Sequence, residues 1–186
     1  MTTLFVLCEG QSEELFVKRV LSPYLLIKQI YPIPTIVTTK RMREGEDFKG
    51  GVKTWGKVKV DLKLLLKNSH AFVTTLIDYY GLPEDTPKPR ILNIDATQQA
   101  LAIEQAIKED LQINGLNVTR FIPFLSVHEL EAWVFSDIDM LCEHFKDAYV
   151  KDKIQELIQS VQGNPECINH GIETHPKKRD YVHIML

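Results

Sequence analysis

Two apolar runs in this chain stop at a carboxylate, and a turn follows each. Leu4-Phe5-Val6-Leu7-Cys8 runs into Glu9-Gly10, and Ala71-Phe72-Val73-Thr74-Thr75-Leu76-Ile77 runs into Asp78. Short continuous apolar runs of this kind predict buried strands of a parallel sheet. After the first, Ser12 is expected to cap a helix with Glu13 and Glu14 in its first turn. Val17, Val20, Leu21 and Tyr24 then keep the i, i+3, i+4, i+7 spacing of an amphipathic helix. Pro23 predicts a kink or a second short helix towards Ile30, with Pro32 and Pro34 ending it. The β-branched segment Pro34-Thr35-Ile36-Val37-Thr38-Thr39 predicts a second strand.

Residues 41–51 lack periodicity, mix both charges and end in two glycines, which predicts a surface loop. The next helix carries Val52, Trp55, Val58, Leu62, Leu65 and Leu66 on one face and Lys53, Lys57, Lys59, Lys63 and Lys67 on the other. Those lysines can follow phosphates, but the plainer reading is the solvated face of a core helix. Asp95, with Gln98 three residues on, opens a helix striped by Ala100, Ile103, Ile107 and Leu111 and closed by Asn114-Gly115. Val118–Leu125 predicts a fourth strand, with Pro123 marking an edge or a bulge. His128–Trp133 starts another helix, Ser136 with Asp139 caps a further one, and Ile154, Leu157, Ile158 and Val161 mark the last. Residues 163–186 show no strong pattern and form an irregular tail. Strands alternating with helices predict an α/β fold: a mostly parallel four-stranded sheet with helices on both faces, in a single domain over residues 1–186.

Composition narrows this only a little. Against 22 basic residues stand 25 acidic ones, a net charge of −3. That balance does not suggest a general nucleic-acid coat, but it allows a local basic patch or a metal site. Cys8, Cys142 and Cys167 are odd in number and lack C-x-x-C spacing, which argues against a disulfide framework or a zinc site; Cys8 is expected to fill a buried strand. The opening apolar run is too short for a secretory or membrane segment, so a cytoplasmic protein with no membrane association is expected.

The chemistry lies at the strand ends. In open α/β sheets ligands bind outside the carboxyl ends of the strands, where Glu9 and Asp78 fall. If their strands are neighbours, the two carboxylates converge, and Glu13, one helical turn beyond Glu9, can reach the same point. Such hard oxygen donors suit Mg²⁺ or Mn²⁺, which commonly share their ligands with substrate phosphates. The plainer alternatives are that Glu13 and Glu14 complement a helix dipole and that Asp78 forms a turn before Tyr79. Glu9, a glycine-flanked acid between strand and helix, is the hardest to explain by packing. A third cluster is His128, Glu129 and Glu131. On a helix His128 and Glu131 share a face; in an extended segment Glu129 and Glu131 do.

Glu9-Gly10-Gln11-Ser12-Glu13 after an apolar strand resembles the first motif of the Toprim domain shared by topoisomerases, primases and OLD-type nucleases. Together with Ile77-Asp78-Tyr79-Tyr80-Gly81-Leu82-Pro83, His128-Glu129-Leu130-Glu131-Ala132-Trp133 and Asn164-Pro165-Glu166, it is similar to a family of small prokaryotic Toprim-like proteins, the domain of unknown function 4276 family. The resemblance implies a Toprim-like (Rossmann-like) fold and a Mg²⁺-dependent nuclease or phosphodiesterase acting on DNA or RNA. An ABC/SMC-type ATPase partner in a defence-type system is also implied, and an oligomer is left open. On this resemblance Glu9 is a metal ligand or general acid/base, Glu13 the second acid of the motif, and Asp78 the first aspartate of an Asp-x-Asp pair. Tyr80 stands where the second aspartate would be, which removes a ligand needed for two-metal cleavage unless Glu129 or Glu131 replaces it. Lys178, beside Arg179, falls near a basic step of the relatives and would stabilise phosphoryl charge, the plainer reading being a solvated lysine of the tail. The relatives continue beyond that step, so the tail reads as shortened. Two rival readings are a non-catalytic regulatory subunit that keeps the fold, and a phosphotransfer enzyme, which lacks a glycine-rich phosphate loop here.

Overall fold

The computed structural model describes residues 1–37, 54–89, 91, 94–127 and 148–160. The chain divides into two compact units, Met1–Val127 and His128–Leu186. The described part of the second is one helix, Ala148–Ser160, at the place marked by Ile154, Leu157 and Ile158.

The first unit is built on a parallel sheet. Its strands are β1 Thr2–Cys8, β2 Ile30–Ile36, β3 Phe72–Asp78 and β4 Phe121–Ile122, in the order β2-β1-β3-β4, and β5 Leu125–Ser126 also pairs with β3. Every pairing is parallel. The α/β class and the mostly parallel sheet thus follow the expectation, and β1 and β3, the two strands that end in acids, are neighbours at its centre.

The expected fourth strand is divided. Val73 pairs with Phe121 and Ile77 with Leu125, so the same register resumes on either side of Pro123. Proline has no N–H to give the ladder. The buried Thr75 hydroxyl fills the gap, donating to the Phe124 carbonyl at 2.7 Å and accepting the Phe124 N–H at 2.9 Å.

After β1 the chain turns into α1, Gln11–Phe16, a π-helical turn over Val17–Leu21, and α2, Ser22–Ile27. The Ser22 N–H reaches back five residues to the Val17 carbonyl. A wider turn placed just before Pro23 makes room for its ring, so the expected kink takes the form of a π turn. Two boundaries differ from expectation. Gly10, not Ser12, is the N-cap of α1, because the Glu13 carboxylate reaches back to accept the Gly10 N–H at 2.8 Å. Strand β2 starts at Ile30 and contains both Pro32 and Pro34 instead of starting at Pro34. It is an outer strand, and prolines two residues apart there share one edge, where no partner strand needs their N–H groups.

Side chains alternate across the sheet. Leu7, Val73 and Ile77 join Val58 and Leu62 of α3, Trp55–Leu66, and Ala100, Ile103, Ile107 and Leu111 of α4, Ala96–Ile113. Val6, Cys8 and Leu76 are buried towards the other face, and the π turn, with buried Val17, packs on β2. Asp95 caps α4 as expected, accepting the Gln98 N–H at 2.8 Å, and Gly115 ends it at φ +77°. Helix α3 is held at its start by Asp85, which accepts the Trp55 N–H at 2.8 Å. Asp110 of α4 accepts the Trp55 indole N–H at 3.0 Å and pairs with Lys59 at 2.7 Å. Lys59 therefore ties two helices together.

Candidate functional site: paired carboxylates at the strand ends

Pairing of β1 with β3 sets Cys8 opposite Leu76, and the Glu9 N–H extends the ladder to the Leu76 carbonyl at 3.1 Å. Glu9 and Asp78 thus reach the same sheet edge. Glu9 Oε2 accepts the Asp78 backbone N–H at 3.0 Å. Asp78 Oδ1 accepts the Tyr80 N–H at 3.1 Å, while the Asp78 carbonyl accepts the Gly81 N–H at 3.2 Å. Asp78 is therefore both a turn-former and an edge carboxylate, two roles that the sequence set against each other.

Gly81 closes the turn against Glu9. A Cβ at this position would lie 3.1 and 3.2 Å from the two Glu9 carboxylate oxygens and 3.5 Å from Asp78 Cβ. The absent side chain is what keeps that space beside the carboxylates open.

Glu13 is half-buried at the same edge, with Oε2 turned back to the Gly10 N–H. Among the described residues no group of three or more His, Cys, Asp and Glu side chains is arranged to hold a metal. The pair Glu9 and Asp78 still suits Mg²⁺, which keeps several waters and is often held by one or two carboxylates plus substrate phosphates. Glu129, Glu131 and Lys178 lie outside the described residues.

Cys8 lies just behind the pair, fully buried, with Sγ 3.5 Å from the Val6 carbonyl. Burial, with the charges of Glu13 and Glu14 adding to it, pushes the thiol up to about 12, as befits a packing residue. No helix of the described residues is long and apolar enough to cross a membrane.

Asp78 is also held from its other side. Ser126 pairs with Asp78 in the sheet, and its carbonyl accepts the Tyr79 N–H at 2.9 Å. Strand β5 is tied in turn to α4, where Glu104 Oε1 accepts the Leu125 N–H at 2.7 Å. Burial raises the Glu104 carboxyl above its ordinary range, against the lowering effect of that N–H. Sequence reasoning missed Glu104 and the closeness of Gly81 to Glu9. Gly81 had a signal in its turn context; Glu104, an acid bordering the α4 stripe, had none.

Fold and site define a parallel α/β protein that gathers two carboxylates at the carboxyl ends of its adjacent central strands, where open α/β sheets bind ligands. The sequence matches the family described as a domain of unknown function (DUF4276) over residues 8–184, and the chain belongs to that family. No curated protein and no solved structure matches it.

Proposed function

We propose that this chain is a Toprim-like, Mg²⁺-dependent nuclease or phosphodiesterase acting on DNA or RNA, working with an ABC/SMC-type ATPase in a defence-type system. The observation that carries this reading is the meeting of Glu9 and Asp78 at one sheet edge, with glycine leaving space beside them. The ion, held by Glu9 and Asp78, would polarise a phosphodiester oxygen and neutralise its charge. Glu9 is oriented by the Asp78 N–H and Asp78 by the Tyr80 N–H, so both carboxylates are aimed before any substrate arrives. Water is the nucleophile in this reading. The family resemblance implies further roles for Lys178 and for Glu129 or Glu131, which lie outside the described residues. The ATPase partner rests on that resemblance as well.

A second reading is a regulatory subunit that keeps the fold without cleaving. Tyr80 in place of a second aspartate, and the engagement of Glu13 with Gly10, favour it. Calorimetric titration of Mg²⁺ and Mn²⁺ into the wild type and Glu9→Gln, with and without a short oligonucleotide, separates the two. The hydrolase reading expects binding that is lost in Glu9→Gln. No binding in either condition leaves the regulatory subunit.

A further inference from the structure

Tyr79 and Tyr80, in the turn that follows Asp78, line a cleft. The cleft has a volume of about 520 Å³ and is lined by Tyr79, Tyr80, Lys88, Asp95, Gln99 and Ile103, among others. We propose that it is a stacking subsite for an unpaired nucleobase next to the scissile phosphate, so that the substrate is single-stranded. This rests on the nuclease reading and names its substrate class.

Tyr80 carries the argument. Its backbone N–H bonds to Asp78 Oδ1, which fixes the residue beside the proposed reaction centre, yet the residue is 48% exposed. The Tyr79 and Tyr80 rings form an edge-to-face pair, with centroids 4.9 Å apart and planes at 81°. That contact steadies an aromatic surface at the cleft wall, where a flat π-face can take a base of any sequence. Ile103 is buried and gives the lining an apolar element. Lys88, exposed, supplies positive charge for a backbone phosphate. Gln99 is held by its Nε2 donating to the Pro89 carbonyl at 3.1 Å, and with Asp95 it offers polar groups to a base edge. A base inside a duplex is stacked on both faces and cannot enter such a cleft; an unpaired one can.

The test uses the full chain and fluorescence anisotropy, with Ca²⁺ replacing Mg²⁺ to suppress cleavage. The probes are a short labelled oligothymidylate, its duplex, and an abasic strand of the same length. The wild type should prefer the single strand. Tyr80→Ala should weaken that binding about tenfold, the scale of one base–aromatic stack, and Tyr80→Phe should not. With the wild type, the abasic strand should lose a similar factor, a comparison that holds even if Tyr80→Ala folds poorly. Equal binding of abasic and normal strands, preference for the duplex, or no binding overturns the proposal. Cleavage assays in Mg²⁺ keep the two ideas apart. Base-dependent binding without cleavage preserves the subsite and removes the nuclease, whereas cleavage indifferent to bases does the reverse.

Discussion

Glu9 and Asp78, 69 residues apart in sequence, are joined by a 3.0 Å hydrogen bond from the Asp78 N–H to Glu9 Oε2. The bond makes Glu9 part of the fold as well as of the proposed site. It also allows charge and shape to be varied separately.

Glu9→Gln keeps an acceptor for the Asp78 N–H and removes the charge. It should unfold within about 0.5 kcal/mol of wild type, whereas Glu9→Ala, which leaves that N–H without its partner, should cost about 1–2 kcal/mol. Urea denaturation of both variants measures this. Unfolding of Glu9→Gln under native conditions would make Glu9 structural and remove the centre of the site.

Gly81→Ala places a methyl group 3.1–3.2 Å from the Glu9 oxygens. The backbone there does not require glycine for a positive φ, so the gain through the unfolded chain offsets the displacement of the Glu9 carboxylate, and stability should change by under about 1 kcal/mol. The carboxylate must move by a few tenths of an ångström, and divalent-ion affinity should fall about tenfold, as for other residues that orient ligands. A thermal melt beside a Mn²⁺ titration would show the two quantities moving independently.

Glu104→Gln probes the support of β5. Burial raises the folded-state value of this carboxyl above its ordinary 4.5. Its stabilising contribution is therefore full below pH 4.5 and is lost as pH rises through the folded value. Glutamine keeps an acceptor for the Leu125 N–H without the cost of burying charge. The variant should melt higher than wild type at neutral pH, and the gap should close in acid. A gap that persists in acid would refute the assignment.

Asp110 works in the opposite sense. Burial pushes its carboxyl up, but hydrogen bonds from Lys59 and Trp55 and the charges of Lys59 and Lys63 outweigh this and hold it below 3.8. The stability it supplies is present above pH 3.8 and lost as pH falls through the folded value. Asp110→Asn should be less stable than wild type at neutral pH by under about 1 kcal/mol, given the partly exposed pair. Below pH 3.8 the difference should shrink, which melts across that range would reveal.

By itself the sequence determined several local elements and some of their ends. The apolar runs into Glu9 and Asp78 are strands, the stripe Ala100, Ile103, Ile107 and Leu111 is the buried side of α4, and Asp95 and Gly115 bound that helix. These features depend on periodicity and on single-residue backbone preferences, which short windows carry. Strand order and long-range contact were decided only in the tertiary structure. Pro32 and Pro34 looked like terminators because nothing local says that β2 lies at the sheet border, where a missing N–H is tolerated. Pro123 breaks one strand into two, and the break holds because Thr75, 49 residues before Phe124, lends it its hydroxyl. The nearness of Glu9 to Asp78 and Gly81 follows from β1 pairing with β3, and the tether from Glu104 to Leu125 from the packing of α4 beside β5. Each is a contact between residues far apart along the chain, fixed by burial of the whole sheet, which no local pattern encodes.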